Sequence, residues 1–400
     1  MESSGKKVIV GLTGRIGSGV TAFLLKKQGF QVIGVSIINH SMDTFKNSST
    51  PPKCYISKLG EIENFCKFLG IPFYATDGKS EFEDKVLDPF TANRLTARAN
   101  TTCFNCTSLR IQVLYEKMKK LNADFISTGH FCKVHKNLNS DNFSVHANND
   151  VDSDQSFLLA GIPEIYLKHL ILPLGELRAN EVDTIAKKFN LPLKPSLSDG
   201  KFCYREPAEY ESILKNRVPK SLIKEGQVHN VDNDMIQGEH KGILHHFITE
   251  KNLKFNGVNQ ADQNIQVVNY QFEKSTIEIG SDKHLTFKGC QLVELSLSSG
   301  LDRSKPMNCF IKNKYSHQYV ACMIFFKNNA SAYLEFESPI YPIIEGEKVV
   351  LFDKNTRNAK VIGLGRIGQR GEFELIDRAE EYKTKNEANE EIKRAPVFKF

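Results

Sequence analysis

Two cysteines, Cys103 and Cys106, have two residues between them in "TTCFNCTS", just ahead of the helical pattern "SLRIQVLYEKMKKLN". A thiol at a helix N-terminus is acidified by the aligned peptide dipoles, so this pair is a candidate for thiolate chemistry. A structural zinc would need a second ligand pair, and the sequence holds no other C-x-x-C. A third thiol, Cys203 in "DGKFCYRE", is flanked by Lys201 and Arg205, whose charges also favour a thiolate. The remaining cysteines, Cys54, Cys66, Cys132, Cys290, Cys309 and Cys322, read as small buried hydrophobes. His40, His245 and His246 read as structural histidines.

The second chemical feature is a glycine-rich turn. "VIVGLTGRIGSGVTAFLLKKQGFQVIGVSI", Val8 to Ile37, reads strand, turn, helix, strand. Gly11, Gly14, Gly17 and Gly19 give the turn backbone freedom and let a phosphate approach the main chain. The N–H groups at the start of the following helix favour an anion. Thr13 and Ser18 add hydroxyls. The spacing is neither that of a P-loop nor that of a dinucleotide-binding fingerprint. The turn alone therefore fits a phosphate cradle and a plain strand-to-helix connection equally well.

These groups must be positioned by a scaffold. Four hundred residues suit two or three domains. The first half alternates short apolar runs ("KKVIVGL", "FQVIGVSI", "IPFYAT", "ADFISTGH") with helical patterns. That alternation predicts an α/β fold with a parallel sheet and ligands at the carboxyl ends of its strands. The Asn/Asp-rich stretch from His135 to Asp154 predicts a hairpin or loop excursion, and Ala179 to Asn190 a helix. From about Ile265, from "IQVVNYQF" and "STIEIG" onward, short strands predict an antiparallel β-barrel or sandwich. The boundaries expected are 1–207, 208–262 and 263–370, with a charged tail at 371–400. The 53 basic and 47 acidic residues give a net charge of +6, which permits a polyanionic partner. No apolar run has the length of a membrane span and "MESSGKKVIV" reads as no targeting segment, which points to the cytoplasm.

Taken in order, these blocks resemble the bacterial tRNA-specific 2-thiouridylases, from about Val8 to Ile367. The match runs through the glycine turn, "LGIPFYATD", "ADFISTGHFCKV", "DQSFLL", "LPLGELRANEVDTIAKKFNLPL" and "GEHKGILHHFIT". The resemblance implies a PP-loop ATP-pyrophosphatase domain of the adenine nucleotide alpha hydrolase-like class, a small central tRNA-binding domain and a C-terminal β-barrel. It implies adenylation of the wobble uridine of tRNA by ATP, with Mg²⁺, and replacement of its oxygen by sulfur. Partners implied are tRNA and a sulfur-donor protein, with no membrane.

Residue by residue, Cys203 falls on the family's persulfide carrier and Cys106 on the nucleophile that resolves it. Gly11, Leu12, Thr13, Gly14, Arg15, Ile16, Gly17, Ser18, Ile37 and Gly129 fall on nucleotide contacts. Thr101, Thr102, Cys103, His130, Ser153, Asp154, Gln155, Lys314, Tyr315 and Glu347 fall on tRNA contacts. The chain also departs from the pattern. Arg15 replaces a glycine, and Gly17 replaces the loop aspartate that would serve Mg²⁺. Asn100-Thr101-Thr102 replaces Pro-Asn-Pro, Ser153 replaces a lysine, Lys314 an arginine and Glu347 a glutamine. These losses leave open a divergent enzyme, a non-catalytic tRNA-binding or regulatory paralogue that makes no use of ATP, and a thiol relay without adenylation.

Overall fold

The computed structural model describes residues 5–41, 43–45, 56, 59–96, 98–99, 101–137, 141–193, 213–214, 217–251, 253, 255, 264–298, 300–312 and 318–372. The first half runs β1 (Lys7–Gly11), α1 (Ile16–Lys27), β2 (Gln31–Ile38), α2 (Leu59–Leu69), β3 (Phe73–Asp77), α3 (Lys79–Phe82), α4 (Asp88–Leu95) and α5 (Thr102–Lys120). It continues with β4 (Phe125–Ser127), β5 (Cys132–Lys136), β6 (Phe143–Ala147), α6 (Glu164–Leu167), β7 (Leu170–Ile171) and α7 (Ala179–Lys188). A π-helical turn, Glu83–Leu87, joins α3 to α4.

Strands β3-β2-β1-β4-β7 form one sheet in that order, and every pair in it is parallel. The sequence of β1 explains why helices cover both faces. Successive side chains of a strand point to opposite faces. Ile9 enters a core with Ile111 and Leu114 of α5, while Val8 and Val10 enter another with Leu25 of α1 and Phe65 of α2. All three are fully buried, and each such side chain contributes about 1.5–3 kcal/mol. Strand order reverses between β1 and β4, and that is where ligands bind in such sheets. The expected hairpin is present as β5–β6. The short strand β7 was not anticipated; two residues carry too little pattern to read.

The second half begins with β8 (Gly226–Asn230), β9 (Met235–His240), β10 (Gln266–Gln271) and β11 (Thr276–Gly280), a separate sheet of order β10-β11-β8-β9. The segments "IQVVNYQF" and "STIEIG", expected in the C-terminal barrel, lie here instead. They are β10 and β11, and β11 pairs in parallel with β8, Ile277 opposite Val228. Their residue types suit either sheet, and the choice rests on a pairing distant in sequence. The barrel consists of β12 (Phe287–Leu297), β13 (Met307–Lys312), β14 (Val320–Phe326), β15 (Ala332–Ile340), β16 (Lys348–Phe352) and β17 (Val361–Arg370). It closes in the order β12-β15-β14-β13-β16-β17, with every pair antiparallel.

The barrel is docked on the α/β layer, and alternation within β16 shows how. Val349 and Leu351 fill the barrel, while Val350 and Phe352 enter the core shared with α5 and the β5–β6 hairpin. A second tie is polar. Lys312, 3% exposed, donates from Nζ to Asp154 Oδ2 at 3.2 Å and to the carbonyl of Val151 at 3.2 Å. Among the described residues, no helix is long and apolar enough to cross a membrane.

Candidate active site

The glycine turn links β1 to α1. Gly14 has φ +75°, a conformation that side chains with a Cβ rarely adopt, and it is still glycine. Arg15 has φ −100° and ψ 157°, extended backbone that any residue accepts, so arginine causes no strain there. The turn is closed by Ser18: its Oγ accepts from the Thr13 N–H at 3.2 Å and donates to the Arg15 carbonyl at 3.0 Å.

A narrow cleft opens at the ends of β1 and β2. Gly11, Leu12 and Thr13 line one wall, Ile37 and Asn39 another, and Arg110 of α5 completes it. Arg15 instead lines a second hollow with Gly14, Ser18, Glu61 and Leu193. Its bulk is therefore not what bounds the first cleft. Gly129, after β4, presses against the turn from the other side of the strand-order reversal. A Cβ built on it would lie 2.7 Å from Gly17 C and 2.7 Å from Ser18 N. Both are main-chain atoms and cannot swing aside. Gly129→Ala is expected to cost about 1–3 kcal/mol of stability by overpacking. Gly60→Ala, with nothing within 4 Å, is the tolerated control. Thermal melts of the two variants read the difference.

The cleft presents apolar walls, exposed turn backbone and one guanidinium, groups whose chemistry suits a nucleotide. It does not fit a protein-held Mg²⁺. None of its lining residues is a carboxylate, and no cluster of three or more His, Cys, Asp or Glu suited to a metal occurs among the described residues.

Cys106 lies in the second turn of α5 and packs, half-buried, on the cluster of Phe82, Phe90 and Leu109. One helical turn on, Arg110 donates from Nη2 to Cys106 Sγ at 3.9 Å. Arg110 thus lies between the thiol and the nucleotide cleft, and reading the sequence missed it. The signal available was its i, i+4 spacing from Cys106, which puts both on one helix face. His130, buried just past Gly129, is held neutral: burial first, then the Arg110 charge, push its pKa down to about 3. Its Nδ1 pairs with Thr128 Oγ1 at 2.8 Å.

The other described thiols differ in kind. Burial raises Cys66 to about 11 and Cys290 to about 12 and raises Cys132 too, while contact with the Cys309 thiol, then burial, raises Cys322. Those thiols are inert packing, as is buried Cys309. Only Cys103 and Cys106 are half-buried rather than buried among the described cysteines. Cys203, Cys54, Lys314 and Tyr315 lie outside the described residues.

The remaining candidate residues divide. Thr101 precedes α5 half-buried and Thr102 is buried. Asp154 is buried with its carboxylate fully used: it accepts the Asn148 N–H at 2.9 Å, the Ser156 N–H at 3.1 Å, Ser156 Oγ at 2.9 Å and Lys312 Nζ. Gln155 is exchanged with Phe131, accepting its N–H at 3.1 Å and donating its own main-chain N–H at 2.9 Å. Ser153 Oγ donates to Asp150 at 2.8 Å. Glu347 is 2% exposed at the mouth of β16. So the structure gathers the turn, Ile37, Gly129, Arg110 and Cys106 at one end of the sheet, while Asp154 and Gln155 hold neighbouring segments in place and Glu347 is buried just ahead of β16.

The profile of a tRNA methyl transferase HUP domain matches residues 6–205, half of the chain. The tRNA-specific 2-thiouridylase MnmA of Clostridium acetobutylicum is 26% identical over 350 residues, covering 87% of this chain and 96% of its own. The tRNA-specific 2-thiouridylase MnmA of Halothermothrix orenii is 28% identical over 357 residues, covering 88% and 92%. The chain belongs to the tRNA-specific 2-thiouridylase family. That family comprises tRNA-uridine 2-sulfurtransferases, and these two relatives align over 87% and 88% of this chain. An NMN synthetase from Francisella tularensis is 16% identical, with a TM-score of 0.29 over 47% of this chain and 63% of its own.

Proposed function

We propose that this chain is a working tRNA-uridine 2-sulfurtransferase that uses ATP to activate the wobble uridine and two cysteines to deliver sulfur. The observation that supports it most is Arg110, which lines one cleft with the glycine turn and also donates to Cys106 Sγ. ATP supplies the activation of the uridine 2-oxygen, which then leaves with AMP. Gly129 and the turn seat the phosphates, and Leu12 and Ile37 offer apolar wall to the base. Mg²⁺, lacking a carboxylate in the lining, enters bound to the triphosphate rather than held by the chain.

Sulfur arrives as a persulfide on Cys203, loaded by a sulfur-donor protein such as a desulfurase. The outer sulfur bonds to C2 of the uridine as AMP departs. The Cys106 thiolate attacks the inner sulfur of Cys203; a Cys106–Cys203 disulfide forms and the outer sulfur stays on the base. An external thiol returns two electrons before the next turnover. Thr101 and Cys103, beside Cys106, border the base. The positive net charge and the segments carrying Ser153, Lys314, Tyr315 and Glu347 serve the tRNA, in the cytoplasm.

The altered turn specifically favours one rival, a paralogue that binds tRNA and spends no ATP. Release of pyrophosphate separates the two. With tRNA and ATP present, pyrophosphate forms in step with tRNA if the proposal holds. Saturable tRNA binding with no pyrophosphate above the tRNA-free rate selects the rival.

A further inference from the structure

Arg110 does two things from one place. Its guanidinium donates to Cys106 Sγ at 3.9 Å, and it lines the cleft against Gly11, Leu12 and Thr13. Among the described residues, no carboxylate lies within ion-pair distance of it. The loop carboxylate that would recruit a metal is absent, since Gly17 stands there. One cation therefore faces both a thiol and the backbone of the glycine turn. A guanidinium carries five N–H donors in a rigid fork and stays charged at any working pH, so it serves thiolate and phosphate alike.

We propose that Arg110 is a cation shared between Cys106 and a nucleotide phosphate, holding Cys106 as the thiolate when the cleft is empty and weakening that hold when it is filled. This rests on the nucleotide reading given above. Its consequence is an order of events: Cys106 is least reactive while ATP phosphates are present and regains its nucleophilicity as they leave. Premature attack on the Cys203 persulfide is thereby disfavoured.

The other charged groups near this end of α5 do not supply the same control. His130 is held neutral. His40 is buried edge-on between Phe45 and Phe82. Arg94 of α4 is committed to the carbonyls of Leu244 and His246. Lys348 of β16 lies over the Phe104 ring. Glu83 and Asp88 pair with Arg217.

The test is alkylation of the full chain by iodoacetamide from pH 5.5 to 9.5, with Cys106 and Cys103 followed separately by peptide mass spectrometry. Arg110→Met is expected to raise the apparent pKa of Cys106 by about one unit, slowing its alkylation at pH 7 about tenfold, with Arg110→Lys in between. Cys103 keeps its profile in all three proteins. Saturating ATP without tRNA slows Cys106 several-fold in the parent chain and leaves Arg110→Met unchanged. Identical pH profiles for parent and Arg110→Met overturn the proposal. So does ATP that binds by calorimetry yet leaves the Cys106 rate unaltered. If ATP gives no heat while the Arg110→Met profile is still shifted, the nucleotide reading fails and the shared role falls with it, leaving Arg110 as a positioning residue for the thiol alone.

Discussion

Cys106→Ser is expected to lower 2-thiouridine formation by at least about a thousandfold while leaving tRNA affinity within about twofold of the parent. Serine keeps the size and the half-buried packing on Phe82, Phe90 and Leu109, so the fold is preserved. What it removes is the thiolate. A hydroxyl stays protonated beside Arg110 at any working pH and does not attack the inner sulfur of a persulfide. The separation of effects is the informative part: rate collapses, binding persists. Nucleoside mass spectrometry of tRNA reads the first, and a filter-binding titration at fixed salt reads the second. A Cys106→Ser protein that thiolates at the parent's rate contradicts the role assigned to this residue. A variant that loses both together points instead to a folding defect.

Lys312→Met is expected to destabilise the chain by about 3–5 kcal/mol, the usual range for breaking a buried ion pair from one side. The pair is 3% and 0% exposed at its side chains, and it joins the barrel to the segment ahead of Gln155. Methionine preserves the length of the side chain and leaves the Asp154 carboxylate with three hydrogen bonds but no counter-charge. Lys312→Met combined with Asp154→Asn is expected to recover a substantial part of the loss, because the uncompensated charge is then gone. Denaturant unfolding of the four proteins in the cycle measures this. A Lys312→Met loss under about 1 kcal/mol contradicts a docking role for the pair.

Much of this was legible in the residues, and the reason is local. The parallel sheet shows in β1, where Val8, Ile9 and Val10 form an unbroken apolar run that only a strand covered on both faces buries. The turn shows in Gly14, the position whose φ demands glycine. Cys106 shows by its place at the head of a helix. What stayed hidden depends on chain segments far apart. Asp154 reads as an exposed acid in a polar loop, and only the approach of Lys312, 158 residues on, shows it to be interior. Arg110 reads as an ordinary surface residue of an amphipathic helix until the glycine turn is folded over it. The assignment of β10 and β11 to their own sheet hangs on β8, which the intervening sequence does not announce.

The most direct measurement of the central claim is the product itself. Purified chain, unmodified tRNA, ATP, cysteine and a cysteine desulfurase are incubated, and the tRNA nucleosides are separated and weighed. The account predicts 2-thiouridine at the wobble position that grows with time and disappears when ATP is left out. Bound tRNA that gains no sulfur, or 2-thiouridine that forms equally well without ATP, contradicts it.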